Sequence, residues 1–253
     1  MNVENVINDL VGYHNLKIVQ NTKYFNFSLE SVLVPRFCNL KKNMKIIDFC
    51  TGNAPIPLIL STLTNSNIIG VEIQKEVFEL AVQSIELNNL EDRVKILNMD
   101  VKNLSEVFET DTFDLITCNP PYFKVVESSN LNDNEIKTNA RHETLIDLKD
   151  ILSVCKKLLK NNASLVMVHR TERVTEILTK MKEYNLEPKR IRFIYPKMGE
   201  NSNLVLIEAR KNGKIGAKVL PPLYCHNKDG SYTEEVLRMF ERWEKHDTKK
   251  LFR

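Results

Sequence analysis

Three acidic residues, Asp48, Glu72 and Asp100, each lie at or near the end of a short apolar run. The runs are "MKIIDFC", "NIIGVEI" and "RVKILNMD", whose length and apolar content are typical of buried strands. A carboxylate at the end of a strand can accept hydrogen bonds from the two hydroxyls of a ribose or from an exocyclic amino group. Three such acids in succession therefore indicate a binding site for a nucleoside.

The turn after Asp48, "FCTGNAP", suggests which nucleoside would bind. Gly52 lets the backbone approach a ligand closely, and a helix is expected just beyond it. The turn lacks the G-x-G-x-x-G pattern of a dinucleotide site, and a carboxylate of Asp48 at its mouth would repel a pyrophosphate. The same carboxylate would attract a cationic sulfonium. These residues therefore favour S-adenosylmethionine over NAD.

A fourth apolar run, "FDLITCN", leads into Asn119-Pro120-Pro121-Tyr122. The two prolines fix φ at consecutive residues and stiffen the segment. Its carbonyl oxygens, the Asn119 amide and the Tyr122 ring would form a slot for a flat group that carries an NH₂. Accepting both N–H bonds would draw charge onto the nitrogen and aim its lone pair at a sulfonium methyl. We interpret this motif as a centre for methyl transfer to an amino nitrogen, without a dedicated general base.

Strand and helix patterns alternate through the central part of the chain, from residue 44 to residue 210. This order predicts an α/β fold with a mostly parallel sheet and helices on both faces. The runs "KRIRFIYP" and "SNLVLIEAR" predict a final antiparallel pair. Ligands in such sheets bind beyond the carboxyl ends of the strands, where the three acids and the proline motif are expected.

In their order along the chain, "DFCTGNAP", "GVEI", "NMD" and "NPPYF" resemble the cofactor and catalytic motifs of class I N-P-P-Y amino-methyltransferases. More narrowly, "FNFSLESVL", "ARHE" and "DGSYTEEV" resemble the bacterial valine-tRNA adenine-N6 methyltransferases, which modify the adenosine (A37) immediately 3′ of the anticodon. The resemblance implies a Rossmann-like fold, with a mostly parallel seven-stranded sheet and an antiparallel strand near the C-terminus. It also implies tRNA as the partner and S-adenosylmethionine as the cofactor, with S-adenosylhomocysteine as the product.

The same resemblance assigns roles to individual residues. The catalytic residues would be Asn119, Pro120, Pro121 and Tyr122. The cofactor would be held by Asp48, Cys50, Gly52, Asn53, Glu72, Ile73, Asp100, Val101 and Asn119. The chain departs from the family at Ala54, where a second glycine is usual, and at Glu30, where an aspartate is usual. The methyl group of Ala54 is accommodated if its φ is negative.

Two segments are candidates for RNA contact. Residues 124–143 are polar and aperiodic, and are either a disordered insert or, as we favour, a loop that orders on substrate. The C-terminal segment is basic, with eleven Lys/Arg against six Asp/Glu from Arg210 onward. Its helix is expected to begin at a Ser231–Glu234 capping box and to pack Val236, Phe240 and Trp243 inward. The predicted RNA-contacting residues are Tyr122, Phe123, Arg141, His142, Arg238, Arg242, Lys245 and Lys249.

Length and composition limit the remaining possibilities. The 253 residues suit a single domain over 1–253, with an N-terminal extension (1–43), a cofactor-binding and catalytic core (44–210) and a basic C-terminal extension (211–253). No apolar run reaches the ~18 residues of a membrane span and no secretion signal is visible, which predicts a cytoplasmic protein. The five cysteines are scattered without a C-x-x-C pair, so neither a metal site nor disulfides are expected. A monomer is favoured.

Other functions are compatible with the motif. A protein-glutamine N5-methyltransferase would use the same slot for an amide, but such enzymes carry a larger helical N-terminal domain. A DNA adenine methyltransferase would need a sizeable target-recognition domain, for which no segment is long enough. A non-catalytic RNA- or nucleotide-binding module would result if Ala54 prevented cofactor binding.

Overall fold

A nine-stranded sheet forms the centre of the computed structural model, which describes residues 5–10, 12–21, 24, 27–121 and 146–240. The strands are β1 (Asn5–Leu10), β2 (Tyr13–Asn21), β3 (Lys45–Phe49), β4 (Asn67–Glu72), β5 (Val94–Asn98), β6 (Phe113–Cys118), β7 (Leu159–Arg170), β8 (Leu186–Lys197), β9 (Leu204–Lys211), β10 (Lys218–Val219) and β11 (Leu223–His226). The described helices are α1 (Glu30–Phe37), α2 (Pro55–Leu63), α3 (Lys75–Leu87), α4 (Leu104–Val107), α5 (Leu148–Leu158), α6 (Val174–Glu183) and α7 (Glu234–Leu237).

The order of the strands confirms the predicted sheet and extends it. Along the sheet the order is β10-β8-β9-β7-β6-β3-β4-β5, and β11 also pairs with β8. β9 runs antiparallel to both β7 and β8, whereas β7, β6, β3, β4 and β5 are parallel. The seven expected strands are thus present, and the short strands β10 and β11 lengthen one edge.

Helices cover both faces of this sheet, as predicted. The core on one face contains Val32 of α1, Leu58 of α2 and Ala81 of α3. The core on the other face contains Leu104 of α4, Leu152 of α5 and Ile177 of α6. One face of α3 is buried, because its members recur at helical spacing: Val77, Leu80, Ala81, Ser84 and Ile85.

The N-terminal segment contains a β-hairpin that the sequence did not predict. β1 and β2 pair antiparallel and form a separate two-stranded sheet. β2 docks on α3, where the Val19 N–H donates to Ser84 Oγ at 2.9 Å and the Lys17 N–H donates to Asn88 Oδ1 at 2.9 Å. Five of the six residues of β1 are exposed, so the strand lacks the apolar alternation by which strands are recognised. Of the strand and helix expected in "NTKYFNFSLESVL", the structure describes only the helix, α1.

The C-terminal part begins its helix two residues later than expected. Thr233 caps α7, since its hydroxyl accepts from the Val236 N–H at 3.4 Å. The predicted Ser231 cap is wrong, because the Ser231 hydroxyl donates to Asp229 at 2.6 Å within the preceding turn. Val236 and Phe240 are buried as expected, and Trp243 lies outside the described residues. None of the helices in the described ranges has the length and apolar character needed to cross a membrane.

Candidate cofactor and catalytic site

The predicted site residues meet along one edge of the sheet. Because β6, β3, β4 and β5 are parallel neighbours, their carboxyl ends point the same way. Asp48 is the penultimate residue of β3 and Glu72 the last of β4. Asp100 follows β5 by two residues, and Asn119 comes directly after β6. The structure therefore places the three acids and the start of the proline motif on adjacent strands.

The turn between β3 and α2 is built from left-handed backbone conformations. Cys50, Gly52 and Ala54 have φ of 56°, 59° and 71°. The expectation of a negative φ at Ala54 is therefore wrong, and this geometry explains why glycine is usual at that position. A Cβ in the left-handed region is unfavourable by about 1 kcal/mol. Ala54 is completely buried and directly precedes Pro55 of α2, so packing of its methyl group offsets this strain.

Asp48 lies beneath the turn, not at its mouth as the sequence suggested. Its side chain is 0% exposed. Oδ2 accepts from the Thr51 hydroxyl at 2.7 Å, and Oδ1 accepts from the Thr117 hydroxyl at 2.6 Å. Burial raises the pKa of Asp48 to about 7, although the hydrogen bonds from Thr117 and Thr51 favour the charged form. The sequence-based argument that an exposed Asp48 carboxylate attracts a sulfonium and repels a pyrophosphate is therefore wrong, because the carboxyl is buried.

Glu72 ties the same turn to the end of β4. Oε2 accepts from the Gly52 N–H at 3.0 Å and Oε1 accepts from the Gln74 N–H at 2.9 Å. Burial raises the pKa of Glu72, while the backbone hydrogen bonds from Gln74 and Gly52 lower it in part. The backbone N–H of Ile73 also acts on this carboxylate, which has about four acceptor positions in all, so Glu72 can still accept a hydrogen bond from a ligand.

Asp100 and its neighbours form the outer part of this edge. Asp100 accepts from the Lys102 N–H at 2.9 Å and pairs with the Lys102 ammonium at 3.3 Å, so it caps the short 3₁₀ helix Val101–Asn103. Val101 is buried, whereas Ile73 is exposed. A residue that the sequence did not single out, Asn98, donates to the Glu72 carbonyl at 2.9 Å and the Ile73 carbonyl at 3.1 Å. It thereby fixes the end of β5 against the segment that follows β4.

Asn53 has a structural contact. Its side-chain NH₂ donates to the Val19 carbonyl of β2 at 2.8 Å, and the residue is buried. This bond holds the N-terminal hairpin against the turn that contains Gly52. The amide nitrogen is thus directed to β2, and a cofactor contact of Asn53 stays a prediction.

The proline motif begins at the end of a buried strand, and only its first part is described. Cys118 is buried opposite Phe49 of β3, so Asn119 continues the chain beside the Cys50 turn. Pro120 is buried, and Asn119 and Pro121 are half-buried. Several predicted substrate residues lie outside the described residues: Tyr122, Phe123, Arg141, His142, Arg242, Lys245 and Lys249, with the 124–143 loop. Arg238 is described, and its exposed side chain pairs with Glu234 at 2.6 Å.

A buried histidine, His169, also lies near this edge, and the sequence alone did not single it out. His169 is the penultimate residue of β7, the strand beside β6. Its Nδ1 accepts from the Arg170 N–H at 2.8 Å, and its Nε2 lies 3.5 Å from Arg173 Nη1. Burial and the nearby Arg173 charge lower the pKa of His169 to about 4. The ring is therefore neutral at physiological pH. Among the described residues, no three His, Cys, Asp or Glu side chains are grouped so as to hold a metal.

The sequence family gives the class of enzyme. Residues 40–242 match a family described as a methyltransferase domain, and this range includes the whole site edge. The chain belongs to this methyltransferase family. The motif order from Asp48 to Asn119 and the sheet that positions it are consistent with that membership.

Relatives of this methyltransferase carry a more specific name. A protein of Bacteroides thetaiotaomicron named tRNA1(Val) (adenine(37)-N6)-methyltransferase is 26% identical over 209 residues, which cover 81% of this chain and 86% of that protein. A protein of Aeromonas hydrophila subsp. hydrophila with the same name is 22% identical over 212 residues, covering 83% and 86% of the two chains.

Solved structures share the methyltransferase fold. A predicted O-methyltransferase from Agrobacterium tumefaciens superposes with a TM-score of 0.68 at 18% identity, over 83% of this chain and 94% of that one. The geranyl diphosphate C-methyltransferase of Streptomyces coelicolor, in complex with S-adenosylhomocysteine, gives 0.54 at 12% identity, over 72% and 79%. These similarities show the Rossmann-like architecture and not the substrate.

Proposed function

We propose that this methyltransferase transfers a methyl group from S-adenosylmethionine to N6 of an adenosine in tRNA, namely A37 beside the anticodon of valine tRNA. The observation that carries the proposal is the position of Asn119-Pro120-Pro121. These residues follow the central strand β6 directly, beside the β3 turn that Asp48 and Glu72 hold. The names of the Bacteroides and Aeromonas relatives support the choice of tRNA and of N6.

The residues at the β3 and β4 ends fit the proposed cofactor. A Cβ built on Gly52 would meet no atom within 4 Å, so the outer side of the turn has room for a ligand. Glu72 is held by backbone N–H groups, including those of Gly52 and Gln74, and in this proposal it accepts a hydrogen bond from a ribose hydroxyl. In this proposal the carboxylate of Asp100 accepts a hydrogen bond from the adenine amino group of the cofactor. When bound, S-adenosylmethionine supplies an electrophilic methyl group on a sulfonium.

The chemical work of the chain is to orient the acceptor nitrogen. The Asn119 amide oxygen and a carbonyl of the proline segment accept the two N–H groups of the adenine amine, and Tyr122 stacks on the base. Accepting both bonds increases charge on the nitrogen and fixes the direction of its lone pair. The surplus proton leaves to solvent after the transfer, so no buried base is needed. The neutral His169, with a pKa of about 4, is in any case a weak base.

The proposed RNA contacts are of two kinds, stacking of the target base and ion pairs with phosphates. An adenosine in a loop costs little to extrude, and stacking on an aromatic ring stabilises it by about 1–3 kcal/mol. Arg141, His142, Arg238, Arg242, Lys245 and Lys249 would contact phosphates. The Arg238–Glu234 ion pair is solvent-exposed and contributes little to stability, so replacing it by a pair of Arg238 with a phosphate loses little free energy.

Methylation of bulk tRNA tests the proposal. The protein is incubated with isotopically labelled S-adenosylmethionine and tRNA that lacks modifications, and the tRNA is digested to nucleosides. The expected product is N6-methyladenosine, which should map to A37 of valine tRNA and form about ten- to a hundredfold more slowly with the Asn119→Ala variant. A parallel reaction contains a glutamine peptide. Label in the peptide and none in tRNA would replace this proposal by protein-glutamine methylation, and binding of S-adenosylmethionine by calorimetry without any transfer would favour a non-catalytic module.

A further inference from the structure

The buried carboxyl of Asp48 connects two elements of the site. Thr51 belongs to the turn proposed to hold the cofactor, and Thr117 belongs to β6, two residues before Asn119. Their hydroxyls donate to different oxygens of Asp48, at 2.7 Å from Thr51 and 2.6 Å from Thr117. The relative exposures of Asp48, Thr51 and Thr117 are 0%, 3% and 0%. Water therefore has no access to replace either hydroxyl.

The register of the sheet makes this contact a direct bridge between strands. Thr117 lies opposite Asp48 in the parallel pairing of β6 with β3. Thr51 directly precedes Gly52, whose N–H is bound by Glu72. The position of the catalytic segment relative to the turn is thus fixed by side-chain contacts in addition to the strand ladder.

A glycine on the other side of Asp48 leaves space for this arrangement. Gly70 of β4 lies opposite Asp48. A Cβ at Gly70 would come within 2.9 Å of Thr51 Oγ1 and 3.0 Å of Thr51 Cγ2, and 2.8 Å from Ile96 Cδ1. Thr51 can therefore lie over β4 and reach Asp48 only because residue 70 has no side chain. The backbone of three neighbouring strands accommodates the bridge.

We propose that Thr117 is a positioning residue for methyl transfer: through Asp48 it holds the segment Asn119–Pro121 at a fixed distance and angle from the turn 50–54. The inference rests on the proposed function of these two segments. Methyl transfer requires the acceptor nitrogen in line with the methyl group, and a displacement of about 1 Å can reduce the rate about a hundredfold. The Thr51 and Glu72 contacts of the turn do not depend on Thr117.

Substitutions at Thr117 separate positioning from packing. Thr117→Val removes the donor and keeps the shape, so we expect kcat on tRNA to fall about ten- to a hundredfold. The Kd for S-adenosylmethionine, measured by calorimetry, should stay within about threefold, since the turn keeps its own contacts. Thr117→Ser keeps the hydroxyl and should restore most of the rate. A matched control is Thr62→Val, which removes a hydroxyl that donates to the Ile59 carbonyl in α2 and should leave kcat unchanged.

Hydrogen exchange provides a measurement that needs no substrate. Amide exchange of Cys118 and Asn119, followed by mass spectrometry or NMR, should accelerate in Thr117→Val and remain slow in Thr117→Ser and Thr62→Val. A wild-type protein that methylates no tRNA would overturn the proposed function, and the exchange data would still decide on the bridge. Wild-type exchange in Thr117→Val, or a Thr117→Ser variant as slow as Thr117→Val in turnover, would show that Thr117 only fills space.

Discussion

Two buried carboxyl groups in different parts of the sheet have different partners, uncharged hydroxyls for Asp48 and arginines for Glu208. Asp48, at the carboxyl edge, accepts only from the uncharged hydroxyls of Thr51 and Thr117 among the contacts described, and burial raises its pKa to about 7. Glu208 lies in β9, within the antiparallel part of the sheet, and is 1% exposed. It pairs with Arg190 and with Arg210, at 3.2 Å from the latter, and accepts from Ser164 at 3.0 Å.

The difference shows in the pKa values of the two groups. Burial alone would raise the pKa of Glu208, but the hydrogen bond and charge of Arg190 lower it below its usual value. A charge that is compensated by arginines stabilises the fold at neutral pH. The carboxyl that lacks a cationic partner is the one beneath the proposed methyl-transfer site.

The largest effect on stability is expected at Glu208. Glu208→Gln leaves the Arg190 guanidinium without its carboxylate partner and should reduce the free energy of unfolding by about 3 kcal/mol. This loss is near the lower end for a broken buried ion pair, because the Arg190 side chain is 26% exposed to solvent. Urea denaturation measures this loss. Activity per folded molecule should be unchanged. The exposed partner of Arg192, Glu235, provides the control: Glu235→Gln should leave the unfolding midpoint nearly the same. Equal losses in the two variants would contradict the compensated role of Glu208.

The raised pKa of Asp48 predicts that its contribution to stability decreases as the pH rises, whereas the lowered pKa of Glu208 predicts an increase. A folded-state pKa of about 7, raised by burial above the usual 3.8 of an aspartate, means that the native state holds its proton more tightly than the unfolded state. This contribution is complete below pH 4 and is lost as the pH rises through 7. Asp48→Asn, which can keep contacts with both hydroxyls, should therefore gain about 2–3 kcal/mol relative to the wild type between pH 5 and pH 8.

The lowered pKa of His169 changes stability over the same pH range in the opposite direction to Asp48. Its folded pKa of about 4 lies below the usual 6.5, so the unfolded state binds the proton more tightly and stability increases with pH in this window. Thermal melts from pH 4 to pH 8 of the wild type, Asp48→Asn and His169→Gln separate the two groups. An Asp48→Asn variant whose melting temperature follows the wild-type profile would show that Asp48 is ionised throughout this range.

A change in the proposed catalytic segment should affect the rate and leave stability unchanged. Asn119→Ala removes the hydrogen bond proposed to hold the reacting amino group and should lower kcat about ten- to a hundredfold, equivalent to about 1.5–3 kcal/mol in the barrier. Single-turnover methylation of tRNA measures the change, and urea denaturation of the same variant checks its fold. Wild-type turnover by Asn119→Ala would show that Asn119 has no part in the mechanism.

The smallest effect is expected at Ala54, where two contributions oppose each other. Ala54→Gly relieves a left-handed Cβ, worth about 1 kcal/mol, and loses a buried methyl group and backbone restriction of similar size. Stability should change by less than about 1 kcal/mol. The matched control is Ala81→Gly in the buried interior of α3, which should lose about 2 kcal/mol because no strain is relieved there. Equal losses at the two positions would show that Ala54 is unstrained.

The sequence predicted the features that depend on local patterns. Apolar runs that end in Asp48, Glu72 or Asn119 were sufficient to predict the parallel strands and the edge where these residues meet. The hairpin β1–β2 was missed because β1 is exposed over most of its length. The Asp48–Thr117 bond joins residues 69 positions apart, and its existence depends on the register of β3 against β6. Hydroxyl contacts of this kind leave no periodic signal in the chain.

The docking of β2 on α3 sets an order for events during synthesis. Val19 and Lys17 leave the ribosome first, but their partners Ser84 and Asn88 follow 65 and 71 residues later. At about 5–20 residues per second, the N-terminal strands wait several seconds for the surface they bind. Strand β2 therefore reaches its native place only after the helix that it packs on has been translated.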